Sequence, residues 1–434
     1  MFASLWESLL PIGRDPRTGG YRRFSWTAAG LACRDWFAAA AGERGMAVST
    51  DGNGNQWARW NPASRPNPAA AGDRAVVTGS HLDSVPDGGA FDGALGVASA
   101  FAAIDVLRER GFTPARPIVV AAFTEEEGAR FGVACLGSRL LTGAISPAAA
   151  RGLRDAAGVT LADAMADAGC DPGRLGPDDE LLGGIDTFVE LHIEQGRQLA
   201  DIGGALAVGA GIWPHGRWRF DFAGRADHAG TTVLADRHDP MLPAAATVIA
   251  ARQVARRRQM LCTFGKISAA PGAVNAICAE VRAWLDARAA DEGELAEAVA
   301  DITAAADRAG AEHGVAVTAT RESFTPLIDF DPALRARLSG ALALHAGGAR
   351  AGNALAGNAL AGNAAAGGRA KPVPELRTGA GHDAGVLAGR VKAAMLFVRN
   401  PTGVSHAPAE HADPADCDNG VAALAVALAE LASR

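Results

Sequence analysis

Histidines and carboxylates recur in this sequence just past short apolar runs, where a folded sheet could gather them. The first group is Gly79-Ser80-His81-Leu82-Asp83-Ser84, continuing through Pro86-Asp87-Gly88-Gly89-Ala90-Phe91 to Asp92-Gly93; it follows Ala75-Val76-Val77-Thr78. The second is Thr124-Glu125-Glu126-Glu127-Gly128, and the third is Glu190-Leu191-His192-Ile193-Glu194-Gln195-Gly196. Two more lie near the C-terminus, Gly381-His382-Asp383 and Gly403-Val404-Ser405-His406. Carboxylates stacked at one strand end repel each other unless cations neutralise them. Imidazoles mixed with carboxylates make a nitrogen and oxygen ligand set that suits Zn²⁺, Mn²⁺ or Co²⁺. His81 and Asp92 are therefore read first as metal ligands, on a loop that two glycines and a proline keep tight and exposed.

The elements that must position these groups follow an αβ rhythm. Ala75–Ser80 reads as a strand, Gly93–Arg110 as a helix, and Pro117–Thr124 as a continuously apolar strand of the buried type. Thr187–His192 and Ala393–Val398 extend the series, with helices near 331–346 and 414–433. Strands alternating with helices imply an α/β fold with a mostly parallel sheet. Open sheets of that kind place their chemistry at the carboxyl ends of the strands. One strand-end histidine is more often a hydrogen-bonded loop residue than a ligand, but six acid- or histidine-bearing ends in chain order reverse that. His215, His238, His313, His345 and His411 keep the local, structural reading.

After about residue 207 the pattern changes. Gly216–Ala223 alternates as a half-buried strand, and Pro240 to Arg257 reads as a helix. Cys262–Ile267 and Ile277–Ala287 are strands, Glu292–His313 a helix and Val315–Arg321 a strand. The β-α-β-β-α-β order predicts an inserted ferredoxin-like α+β lid at 207–326. The catalytic domain is then discontinuous, 1–206 with 327–434. The Ala-Gly-Asn repeat at 351–368 reads as a flexible loop.

The 434 residues are too many for a single core, in keeping with two domains. A net charge of -7 without a dense basic tract excludes nucleic-acid binding as the main task. Six scattered cysteines without a CxxC pair suggest a reduced, cytoplasmic setting and no disulfide framework. No basic leader with an apolar run and no uncharged apolar stretch of membrane-spanning length is present, so neither a signal peptide nor a membrane span is expected.

The motifs, taken in order with Glu126-Glu127-Gly128-Ala129-Arg130-Phe131, His228-Ala229-Gly230-Thr231-Thr232 and Gly403 to Glu410, resemble the amidase, hydantoinase/carbamoylase branch of the M20 dinuclear metallohydrolases. That branch includes allantoate amidohydrolases, N-carbamoyl-L-amino-acid hydrolases and β-ureidopropionases. The resemblance spans nearly the whole chain. It implies two divalent ions per subunit, with His81 and His192 holding one, Glu127 and His406 the other, and Asp92 bridging both. Asp83 would hold the other nitrogen of the His81 ring and fix its tautomer. Glu126 would be the general base, with Glu125 a bystander, and His382 an active-site histidine that does not ligate. Gln195, Asn275 and Arg288 would contact substrate, and His228 would stabilise the oxyanion. Arg288 has a plainer reading, a strand-end salt bridge with Asp286 or Asp291.

The resemblance implies a hydrolase of non-peptide C–N bonds in linear amidines and ureido acids. His192, where the peptidase and acylase branches have a carboxylate, favours a non-peptide amide or ureido substrate over a peptide, and the Arg288 guanidinium fork would suit an acidic one. Allantoate is the leading substrate and an N-carbamoyl-L-amino acid the alternative, with an aminoacylase or dipeptidase of the same fold behind both. A binding protein that kept the fold without catalysis is a further reading, disfavoured because every ligand and the base are present. Val233-Leu234, Cys278-Ala279 and Arg399-Asn400 depart from the family pattern near where selectivity would be set. The family also implies a homodimer formed through the lid.

Overall fold

The computed structural model describes residues 2–61, 74–348 and 373–433, so the Ala-Gly-Asn repeat lies outside the described residues. The chain divides into two compact units, Met1–Gly211 with Asp329–Arg434, and Ile212–Ile328.

Four parallel strands form the centre of the first unit's sheet. In spatial order they are Ile118–Phe123, Ala75–His81, Ile185–Ile193 and Lys392–Val398. Antiparallel strands flank them: Gln56–Trp60 and Ala47–Thr50 on one side, Leu206–Ile212 on the other. Ala75–His81 and Ile118–Phe123 are buried along their whole length, which explains the unbroken apolar sequence of the second and the apolar start of the first. The helix Ala94–Glu109 is apolar on nearly every side and is buried accordingly. It packs against Pro414–Ala432, and both belong to the core that also takes Val76, Val120, Leu191 and Leu396.

Two stretches were not legible as elements. Leu206–Ile212, which runs across the expected boundary at 207, is a buried strand paired antiparallel with Lys392–Val398. The stretch between 143 and 184 folds into short helices, three of which have N-termini capped by the Ser146, Thr160 and Asp178 side chains.

The second unit is a four-stranded antiparallel sheet in the order Ala316–Thr325, His215–Ala223, Glu280–Arg288, Leu261–Ala270. The helices Met241–Arg258 and Glu292–Glu312 pack on each other and share a core with the sheet. Along His215–Ala223, Trp218, Phe220 and Phe222 are buried while Arg217, Arg219 and Asp221 are not, the period of two that its sequence predicts.

Candidate metal centre

Because the four central strands run parallel, their carboxyl ends lie on one edge, and each end carries a polar group. His81 is the last residue of its strand and His192 the penultimate residue of Ile185–Ile193. Glu126 and Glu127 follow Phe123, and His406 lies on the loop after Val398. The chain passes from Ala75–His81 to a neighbour on one side and then to one on the other. His81 therefore stands at a topological switch point, where such sheets open a crevice.

Asp92 is common to two groups of side chains. His81, Asp92 and His192 each bring one ligand atom within 4.8 Å of the others, and so do Asp92, Glu127 and His406. Asp92 Oδ1 lies 3.2 Å from His192 Nε2 and 3.5 Å from His81 Nε2. Its Oδ2 lies 3.3 Å from His406 Nε2, which is 3.5 Å from Glu127 Oε2. One carboxylate thus faces one histidine pair with one oxygen and the third histidine with the other.

The rings are aimed by the main chain. His81 Nδ1 is 3.1 Å from the Asp83 carbonyl, and His192 Nδ1 is 2.8 Å from the Ile193 carbonyl. A ring nitrogen against a carbonyl carries the hydrogen, which leaves the Nε2 lone pair of each ring toward Asp92. Gly93 N–H also donates to His192 Nε2, at 3.1 Å. Gly93 has φ +64°, and a Cβ there would come within 2.4 Å of the His81 ring, so only glycine lets the Asp92 loop close over that imidazole.

Asp83 faces His81 Nδ1 with two groups. Its backbone carbonyl, rather than its carboxylate, makes the close contact with His81 Nδ1; the carboxylate stands at 3.5 Å. The carboxylate instead accepts the N–H groups of Glu126 and Glu127, at 3.2 and 3.1 Å. It could not be seen from spacing alone that the next strand's loop would supply better donors.

Glu126 is buried, with Oε2 3.6 Å from His81 Nε2 and Oε1 accepting from the Cys135 thiol at 3.1 Å. Glu125 turns away and accepts the N–H groups of Arg130 and Phe131. Gln195 Nε2 donates to Asp92 Oδ2 at 2.7 Å and lies 3.2 Å from His406 Nε2. The buried His382 ring stands edge-on to His192, centroids 4.5 Å apart. Glu190, His192 and His382 form a third close group. Both Glu190 oxygens are already engaged, one by Ser80 Oγ at 2.7 Å and one by Ala384 N–H at 2.9 Å.

Burial sets the electrostatics. It pushes Glu126 well above the usual carboxylate range, against the pull of His81 and with the like charges of Asp383 and Glu127 adding to it. Burial and then Asp92 raise Glu127 to about 7. Burial alone would raise Asp92 too, but the three imidazoles that face it, His192, His406 and His81, hold it well below its ordinary value. Burial and then the neighbouring His192 push His382 well down, so it stays neutral. Such crowding of acids calls for positive charge. Moreover, His81 Nε2 and Glu127 Oε1 are buried without a hydrogen-bond partner. Orphaned atoms of ligand type, in mixed nitrogen and oxygen groups around a shared carboxylate, fit divalent cations.

Glu190 and Glu410 carry no role that residue type and spacing predict. Both sit inside the histidine-bearing motifs, Glu190 two residues before His192 and Glu410 four after His406. Their paired acceptors become visible only when distant loops are brought together.

In the second unit, His228 and Asn275 lie close, since Ala229 N–H donates to the Asn275 carbonyl at 3.1 Å. His228 Nδ1 accepts N–H groups from Gly230 and Thr231 at 2.9 and 3.1 Å, so the neutral ring carries its hydrogen on Nε2. Arg288 is not with them. It ends the nine-residue strand Glu280–Arg288, beside His215, while Glu280 pairs with Ala223 at the end nearer Asn275. At about 3.3 Å per residue that strand spans roughly 26 Å. Arg288 holds Asp286 through Nε at 2.7 Å and Nη2 at 3.2 Å.

The profile of peptidase family M20/M25/M40 matches residues 77–430. The chain belongs to that family. It is 35% identical over 425 residues to the N-carbamoyl-L-amino acid amidohydrolase of Geobacillus stearothermophilus, covering 97% of this chain and 96% of that one. It is 30% identical to the allantoate amidohydrolase of Bacillus subtilis, over 89% of this chain and 87% of that one. A solved hydantoinase/carbamoylase family amidase from Burkholderia vietnamiensis superposes with TM-score 0.81 at 28% identity, covering 100% of this chain and 98% of that one. This family member is therefore a hydrolase of the amidohydrolase class, as the motif resemblance implied. No helix among its described residues is long and apolar enough to cross a membrane.

Proposed function

We propose that this enzyme hydrolyses a non-peptide C–N bond in a small, anionic, linear ureido acid, with allantoate as the substrate. The observation that carries the reading is Asp92, whose two oxygens face two separate groups of ligand-type side chains beside the buried Glu126. His81 and His192 with Asp92 would hold one divalent ion, and Glu127 and His406 with the same Asp92 a second. Such ions, when bound, acidify water, whose pKa falls toward about 7 in one-zinc cases, and polarise a carbonyl. Glu126 takes the proton of the attacking water and delivers it to the leaving nitrogen. His228 donates from Nε2 to the developing oxyanion, consistent with its Nδ1 being occupied by two N–H groups. Gln195 and Asn275 orient the substrate, and the Arg288 fork takes its carboxylate.

Residues 207–326 act in this reading as a ferredoxin-like lid and dimerisation domain, and 1–206 with 327–434 as the catalytic domain. A small ureido acid cannot reach both Arg288 and the His228–Asn275 pair across the strand that separates them. That separation supports a homodimer in which the lid of one copy completes the site of the other. The six unpaired cysteines support a reducing, cytoplasmic setting.

A second reading, hydrolysis of an N-carbamoyl-L-amino acid to the amino acid, ammonia and carbon dioxide, is favoured by the 35% identity to the Geobacillus enzyme. Ammonia release decides between them. Enzyme loaded separately with Zn²⁺, Mn²⁺ or Co²⁺ is given allantoate, N-carbamoyl-L-amino acids, N-acetyl amino acids and dipeptides. Release from allantoate above all others is expected; turnover of only the last two classes sinks the ureido reading.

A further inference from the structure

The loops that carry Asp92 and His406 are more than three hundred residues apart in sequence, yet one buried side chain touches both. Glu410 Oε2 accepts the N–H groups of Phe91 and Asp92, each at 2.9 Å. Its Oε1 accepts from Ser405 Oγ at 3.1 Å, on the residue just before His406. Ser405 Oγ also stands 3.3 Å from Asp92 Oδ2 and 3.3 Å from Gln195 Nε2. Glu410 is 4% exposed, so its charge is compensated by these donors and little water. The Asp92 loop is shaped to receive it: a Cβ on Gly89 would lie 2.2 Å from Glu410 Oε2 and 2.4 Å from its Cβ. Any side chain at residue 89 would push the carboxylate off the two N–H groups. Glu410 touches none of the atoms proposed to ligate, and it lies outside the reacting groups.

We propose that Glu410 is a positioning residue that clamps the Asp92 loop to the His406 loop, and so sets the affinity of the cation held by Asp92, Glu127 and His406. The inference rests on the two-ion reading above. A carboxylate that accepts two successive backbone N–H groups fixes where the second residue's side chain starts. With Asp92 fixed by one oxygen and Ser405 by the other, the separation of Asp92 from His406 no longer depends on either loop alone. The first group, His81 with His192 and Asp92, has its rings set by their own strands through the Asp83 and Ile193 carbonyls. Loosening Glu410 therefore acts unequally on the two groups.

The test is cation stoichiometry and affinity, measured by elemental analysis and by titration with Zn²⁺ and Mn²⁺, beside kcat and KM. Wild type is expected to hold two ions. Glu410→Ala should weaken the second by about tenfold to a hundredfold, the usual range for partners of ligands, and leave the first nearly unchanged. Glu410→Gln, which keeps one oxygen for the two N–H groups and puts an amide nitrogen of the same reach beside Ser405 Oγ, should recover most of that loss. Ser405→Ala, which removes only the hydroxyl, should weaken the same ion by a smaller factor and stays informative if Glu410→Ala does not fold. Two ions bound with unchanged affinity in both Glu410→Gln and Ser405→Ala, together with an unaffected Glu410→Ala, overturn the inference. Equal loss of both ions also overturns it. A wild type that binds no divalent cation refutes the two-ion reading itself, a result distinct from either.

Discussion

His81 and His192 are 1% and 0% exposed, whereas His228 and Asn275 stand open to solvent and Arg288 is half-buried. The difference is one of cost. A buried imidazole or carboxylate must have its polar atoms answered inside the protein. So the strand-end groups come with fixed partners: the Asp83 and Ile193 carbonyls for the rings, backbone N–H groups for Asp83 and Glu410, and a serine hydroxyl and an N–H for Glu190. The exposed groups of the second unit need no such answer, since water supplies it. They can be exchanged without disturbing the core, which would suit the substrate contacts proposed for Asn275 and Arg288. The ligand-bearing edge is in this sense pre-organised, and the second unit adaptable.

The comparison breaks most readily at Glu126. Glu126→Gln should lower kcat by roughly 10²–10⁴, the range of general acid–base contributions, while elemental analysis finds the same cation content as wild type. Unchanged turnover would remove Glu126 as the base. His228→Ala should lower kcat by about 10²–10³, the range for an oxyanion donor, again with cation content intact. Mixing Glu126→Gln and His228→Ala chains sharpens this. If His228 serves the partner's site, the mixed dimer has one complete site, and activity should recover to roughly a quarter of wild type at equal mixing. No recovery would place His228 in the site of its own chain.

The smallest effect is expected at the adaptable end. Arg288→Ala should raise KM for a carboxylate-bearing ureido acid by about tenfold to a hundredfold, the worth of a charge-assisted contact, with kcat little changed. A KM that stays at the wild-type value would leave Arg288 as the partner of Asp286 alone.

Much of this was legible in the residues. The apolar strand runs announced a buried parallel sheet, because only strands covered on both faces lack alternation. The polar groups that close those runs announced a site, and the alternation through Arg217-Trp218-Arg219-Phe220 announced a sheet with one covered face. The strand Leu206–Ile212 was not read as an element, because an apolar run next to a change of pattern does not say which sheet it joins. The capped helices after Gly143 were missed because they are one or two turns long and show no sustained period.

The sequence by itself determined which chemistry was available: the ligand types, their order along the chain, and the strand ends that carry them. Periodicity and residue type are local properties, so they survive in one dimension. Only the tertiary structure decided that Asp92 faces three histidines, that the Asp83 carboxylate serves the glutamate loop and that Glu410 closes on the Asp92 loop. Those are pairings between segments tens to hundreds of residues apart. Each is chosen by which donor burial leaves nearest, and nothing in the local sequence records that choice.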